Sequence, residues 1–212
     1  MKKKIDVGGY TLDAEVDGVE SANAGIVLVH GKHRGMNDTL ISLLFEQLSK
    51  THHVMRFNFS YFADGTEPDN VRSYTELKAC TEHMRDRVLI LIGKSYGSYI
   101  SVKAAMEQAD RIKKVICIGY PFNDADDNKK TSDQLPLLGN IEDKLVFISG
   151  SNDPWCRLGR FIKNLPKQAK FYMINGGDHS LRGRDDAVTR RNMAEMLRLV
   201  TEAINEVDKQ LK

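Results

Sequence analysis

The 212-residue chain is 41% hydrophobic with a formal net charge of +2, enough apolar material for one substantial core. The balance of 31 Lys and Arg against 29 Asp and Glu argues against a strong field directed at nucleic acid, an anionic membrane or an acidic partner. No apolar run approaches the roughly 18 residues of a membrane helix, and Lys2, Lys3 and Lys4 run into Asp6 and Gly8 rather than into a signal peptide's apolar core.

In chain order, two short segments flanking Gly8-Gly9 predict a hairpin on a sheet edge. From Gly25 onward short apolar runs alternate with longer amphipathic ones, the pattern of parallel strands covered by helices on both faces. The strand candidates are Ile26 to Val29, Val54 to Phe59, Val88 to Ile92, Val115 to Ile118, Leu145 to Ile148 and Phe171 to Ile174. Most are unbroken Val, Ile and Leu runs, which suit strands buried on both faces.

Between them Asp38 to Lys50, Ser73 to Arg85, Tyr96 to Ala109 and Cys156 to Asn164 read as crossover helices. Ser73-x-x-Glu76 opens the second as a capping box. Tyr120 to Asn140 breaks the rhythm as a polar loop or short helix with Pro121, Pro136 and the cluster Asp124, Asp126, Asp127, Lys129, Lys130. Met193, Met196, Leu197, Val200, Ile204, Val207 and Leu211 recur at three- and four-residue steps, so a long C-terminal helix lays an apolar stripe on the sheet. The chain reads as one α/β domain over residues 1–212, with about seven to eight strands in a mostly parallel sheet. Cys80, Cys117 and Cys156 are odd in number and suit buried thiols of a cytoplasmic protein.

The chemistry gathers where the strand candidates end. Val88 to Ile92 runs into Gly93-Lys94-Ser95-Tyr96-Gly97 and then into a helix, the context that makes G-x-S-x-G a nucleophile elbow. On so sharp a turn, side chains two positions either side of the serine would collide, so Gly93 and Gly97 omit them. A phosphate-binding reading of Gly93-Lys94-Ser95 requires glycine where Val88 stands.

A serine hydroxyl needs a base, and the base needs a carboxylate to fix its tautomer. Of six histidines, at 30, 33, 52, 53, 83 and 179, only His179 follows both Ser95 and a plausible acid. Asp153, just after the strand candidate Leu145 to Ile148, is the favoured acid. Asp178 is its rival, disfavoured because a sequence neighbour reaches the imidazole at a poor angle.

His30-Gly31-Lys32 ends the first parallel strand and offers the Lys32 N–H, which with the Tyr96 N–H forms a candidate oxyanion hole. Lys32, His33 and Arg34 make a basic rim that could attract an anionic substrate or simply be solvated, and His30 is read as ordering this loop. Tyr61, Tyr120, Phe122 and Trp155 are the candidate walls of an acyl pocket. His52-His53 lacks the spaced partners of a metal site, so no metal and no organic cofactor is expected.

Gly93-Lys-Ser-Tyr-Gly97, His30-Gly31, Asp153 and Gly177-Asp-His179 together resemble the α/β-hydrolase superfamily over nearly the whole chain. Arg56-Phe-Asn-Phe-Ser-Tyr61 and Gly119-Tyr-Pro-Phe122 resemble its small capless branch of dienelactone-hydrolase-like and KANL/Tex-type hydrolase-like proteins. The resemblance implies an α/β-hydrolase fold without a cap domain and a Ser95, His179, Asp153 triad acting on a small-molecule acyl substrate, an ester or thioester. True dienelactone hydrolases carry a cysteine nucleophile, so their lactone substrate does not transfer. A hydrolase-like interaction module without turnover is the alternative, since one fold hosts many functions.

Overall fold

The computed structural model describes residues 1–123, 135–156 and 165–212. Eight strands form one sheet: β1 (Lys2–Asp6), β2 (Thr11–Gly18), β3 (Ala24–Val29), β4 (His53–Phe57), β5 (Val88–Lys94), β6 (Ile112–Ile118), β7 (Leu145–Gly150) and β8 (Lys170–Ile174). Their spatial order is β1-β2-β4-β3-β5-β6-β7-β8. β1 and β2 are the hairpin expected around Gly8-Gly9, and β2 pairs antiparallel with β4; every other pairing is parallel.

All six expected parallel strands are present, and the central ones are buried along almost their whole length. β4 ends at Phe57, earlier than the expected Phe59, because Asn58 keeps only its N–H bond to β2 while its side chain and Phe59 turn to other partners. The Asn58 N–H donates to Asp13 O at 2.8 Å and its Oδ1 accepts from the Met36 N–H at 2.7 Å, while the Phe59 N–H donates to His30 Nε2.

The helices are α1 (Thr39–Leu48), the short α2 (Ser60–Asp64), α3 (Asn70–His83), α4 (Tyr96–Glu107) and the long α5 (Asp186–Gln210). α1 and α5 cover one face of the sheet, α3 and α4 the other, each over its own apolar cluster. The α5 stripe lies as its spacing requires, with Met196, Val200, Ile204 and Val207 buried and Met193, Leu197 and Leu211 partly so.

The capping box at Ser73 is a misreading. α3 begins three residues earlier, capped by Asp69, whose carboxylate accepts the Arg72 N–H at 2.7 Å. Glu76 is instead fully buried, accepting from Tyr10 Oη at 2.7 Å, the Ser60 N–H at 3.1 Å and Ser60 Oγ. A 3₁₀ stretch covers Leu135–Lys144. The expected helix Cys156 to Asn164 and the cluster Asp124 to Lys130 fall at positions outside the described residues, apart from Cys156 itself. The described residues build no cap domain over the sheet. No described helix is long and apolar enough to cross a membrane, and Cys80, Cys117 and Cys156 are all free and buried.

Candidate active site

β5 delivers Ser95 at a backbone conformation of φ 52° and ψ −119°, outside the regions a side-chain-bearing residue favours. The two flanking glycines make that turn possible. A Cβ on Gly97 would lie 2.1 Å from Val29 O, and one on Gly93 would lie 2.5 Å from the Ser98 main chain. The Ser95 N–H is pinned to Ile118 O of β6 at 2.8 Å. Oγ is therefore held above the C-terminal edge of the sheet at the start of α4.

His179 reaches this point from the loop after β8. Its Nε2 lies 2.8 Å from Ser95 Oγ, and its Nδ1 lies 2.9 Å from each carboxylate oxygen of Asp153. An ionised carboxylate only accepts, so Nδ1 carries the proton and Nε2 is left to accept the serine hydroxyl. The Asp153 side chain is fully buried, and its Oδ1 also accepts the Trp155 N–H at 2.9 Å.

Close backbone approach brings acid and base together. Asn152 N–H donates to Gly177 O at 2.8 Å, and a Cβ on Gly150 would sit 2.1 Å from that oxygen. Gly119, at φ +61°, leaves space for the imidazole, since a Cβ there would be 3.3 Å from two ring atoms and 2.9 Å from His179 O. Asp178 does not face the ring; its Oδ1 accepts the Ser180 and Arg182 N–H groups at 2.8 Å each and folds the loop that carries His179.

Lys32 and Tyr96, the residues read as carrying the oxyanion-hole N–H groups, line the same cleft as Ser95. A Cβ on Gly31 would be 3.3 Å from Ser95 Cβ, so the loop bearing Lys32 runs against the elbow, and Tyr96 is the first residue of α4. As the first residue of α4, Tyr96 has an N–H to which the helix itself offers no acceptor four residues back. His30 orders the loop from below, with Nδ1–H donating to Gly31 O at 2.6 Å and Nε2 accepting from Phe59 N–H at 2.9 Å. Burial pushes the His30 pKa down to about 4, so its ring is neutral in the native protein near neutral pH.

A cleft of about 810 Å³ opens over Ser95 and His179. Of the four aromatic residues expected to wall it, only Trp155 does so, with its ring centroid 5.9 Å from that of His179. Tyr120 and Phe122 are fully buried and pack on Phe147, with centroids 5.4 and 5.0 Å away. The segment alternates its faces, so Tyr120 and Phe122 enter the core while Pro121 and Asn123 line the cleft. Tyr61 is buried too, its hydroxyl donating to Gly31 O at 3.2 Å from beneath the loop.

Reading the sequence missed Tyr99, which lines the cleft with its ring stacked on Tyr96, and the ion pair between Lys94 and Asp38. The signal for Lys94 was a lysine closing an otherwise apolar strand. In the sequence Asp38 reads only as the opening of a helix.

Comparison with known proteins agrees with this architecture. A family model described as "Alpha/beta hydrolase domain" matches residues 22–207. Among solved structures, XC6422 from Xanthomonas campestris, described as an a/b serine hydrolase without lid, superposes with a TM-score of 0.74 at 18% identity, covering 97% of this chain and 94% of that one. Est1E from Butyrivibrio proteoclasticus, solved with ferulic acid, gives 0.70 at 16% identity over 94% and 99%. A dienelactone hydrolase from Anabaena variabilis gives 0.73 at 13% identity over 97% and 96%. A search of the curated proteins finds no match. With its parallel sheet, serine elbow and family match over most of its length, the chain belongs to the α/β-hydrolase family.

Proposed function

We propose that the protein is a serine hydrolase that cleaves a carboxylic ester or thioester through an acyl-enzyme. The observation that carries this reading is the unbroken relay from Ser95 Oγ to His179 Nε2 at 2.8 Å and from His179 Nδ1 to Asp153 at 2.9 Å. Within it the Ser95 hydroxyl passes its proton to His179 Nε2 while Oγ attacks the substrate carbonyl carbon. The oxyanion is met by the Lys32 and Tyr96 N–H groups, and loss of one such donor typically lowers turnover by about 10²- to 10³-fold. His179 then protonates the leaving alcohol or thiol, and water, deprotonated by the same nitrogen, releases the acid and restores Ser95.

Asp153 keeps the imidazole in the working tautomer and stabilises its cationic form. Three free, buried thiols suit a reducing compartment, and we place the protein in the cytoplasm on that ground.

A fluorophosphonate probe tests the reading directly. Wild-type protein is expected to be labelled at one site and Ser95→Ala to remain unlabelled while folding normally. Folded wild-type protein that takes no label would instead favour an interaction module that keeps the relay without using it.

A further inference from the structure

The cleft over Ser95 is uneven in charge. Lys32, Arg34 and Lys94 line it, whereas Asp38 is the single carboxylate among its described lining residues. That carboxylate is already engaged on both oxygens, accepting the Leu40 N–H at 2.9 Å through Oδ1 and the Lys94 ammonium at 2.8 Å through Oδ2. Lys32 pairs with Glu67, a mostly exposed residue outside the lining, and Arg34 forms no ion pair among the described residues.

Lys94 is the unusual member. Its side chain is only 10% exposed, it adjoins Ser95 in sequence, and Asp38 fixes its head. An ammonium has three N–H donors, and Asp38 is its one hydrogen-bond partner among the described residues. A nearly buried cation with donors to spare, opening onto a reaction cleft, is suited to a charged acceptor on a ligand. Because Asp38 also caps α1, the donor is held by the fold and needs little reorganisation on binding.

We infer that the cleft selects acyl substrates bearing an anionic group, a carboxylate or phosphate, with Lys94 as the fixed reader and Arg34 as a second cation at the rim. This specificity rests on the serine-hydrolase reading above. The anion can sit on either side of the scissile bond, and matched substrate pairs separate the two cases. 4-Nitrophenyl hemisuccinate against 4-nitrophenyl butyrate places a carboxylate on the acyl side. Butyryl-coenzyme A against S-butyryl-N-acetylcysteamine places phosphates on the leaving group.

The anionic member of at least one pair is expected to exceed its neutral partner roughly ten- to a hundredfold in kcat/KM. Most of that advantage should reside in KM and shrink as salt rises from about 0.05 to about 0.5 M. Arg34→Gln and the double variant Lys94→Met with Asp38→Asn, which leaves no lone buried carboxylate, are each expected to reduce the anionic-to-neutral ratio. Should the buried double variant fail to fold, the exposed Arg34→Gln and the salt titration decide.

Neutral substrates turned over as well as anionic ones, or a preference untouched by salt and variants, would overturn the inference. Fluorophosphonate labelling in the same preparations separates the failures. Protein labelled at Ser95 but indifferent to substrate charge loses only the specificity, whereas protein that takes no label loses the hydrolase reading and the specificity with it.

Discussion

Ser95 occupies a conformation that a serine adopts only under constraint, and its neighbours supply that constraint through missing atoms. Gly97→Ala would drive a methyl group into Val29 O, which allows no relief without moving β3. We expect it to cost about 3 kcal/mol in a urea titration, as overpacking of a rigid site does, and to abolish probe labelling. Asp153→Asn tests a different link. The amide can present a donor where His179 Nδ1–H needs an acceptor, so turnover should fall about 10⁴-fold, measured as kcat on an activated ester. These residues were legible in the sequence because each obeys a local rule: glycines around a strand-end serine, an acid and then a histidine in later strand-end loops. Trp155 was legible as a wall of the cleft, but Tyr120 and Phe122 were not, because composition alone does not say which face of an extended segment turns inward, and both turn to the core.

At the scale of elements, the site is a meeting of loops from β3, β5, β6, β7 and β8 at one sheet edge, where parallel strands present their ends. The loop carrying His179 depends on Asp178, whose carboxylate closes it onto the Ser180 and Arg182 N–H groups. Asp178→Ala should therefore lower kcat by roughly ten- to a hundredfold through misplacement of the imidazole. Its thermal midpoint should fall only modestly, because the substitution leaves the loop's buried core contact at Leu181 in place. A kcat equal to wild type would show that the β7 contacts at Gly150 and Gly177 hold the loop unaided. Strands and the α5 stripe were readable because burial imposes a period on them. The start of α3 was not: Ser73-x-x-Glu76 has the spacing of a cap, yet Glu76 reaches across to Tyr10 and Ser60, a tertiary contact that no local pattern records.

Across the whole molecule, function and stability meet at His30, which joins β3 to the segment after β4 and lies under the loop that bears Lys32. In the unfolded chain its imidazole titrates at the ordinary value of 6.5, whereas burial holds it at about 4 in the fold. Protonation would also place a proton on Nε2 where it already accepts the Phe59 N–H, so the native site has no use for the cation. Between those two values the unfolded chain binds the proton that the folded chain refuses. The stability contribution of neutral His30 is therefore complete above about pH 6.5 and is lost progressively as pH falls toward 4. A shift of this size corresponds to about 3 kcal/mol. His30→Gln retains a donor and an acceptor but cannot titrate. It should be less stable than wild type at neutral pH, because its amide fits the two bonds less well, yet lose less stability on acidification through that window. Urea unfolding of both proteins at half-unit pH steps measures the difference. Parallel pH profiles for wild type and variant would mean that another group, not His30, governs the acid limb.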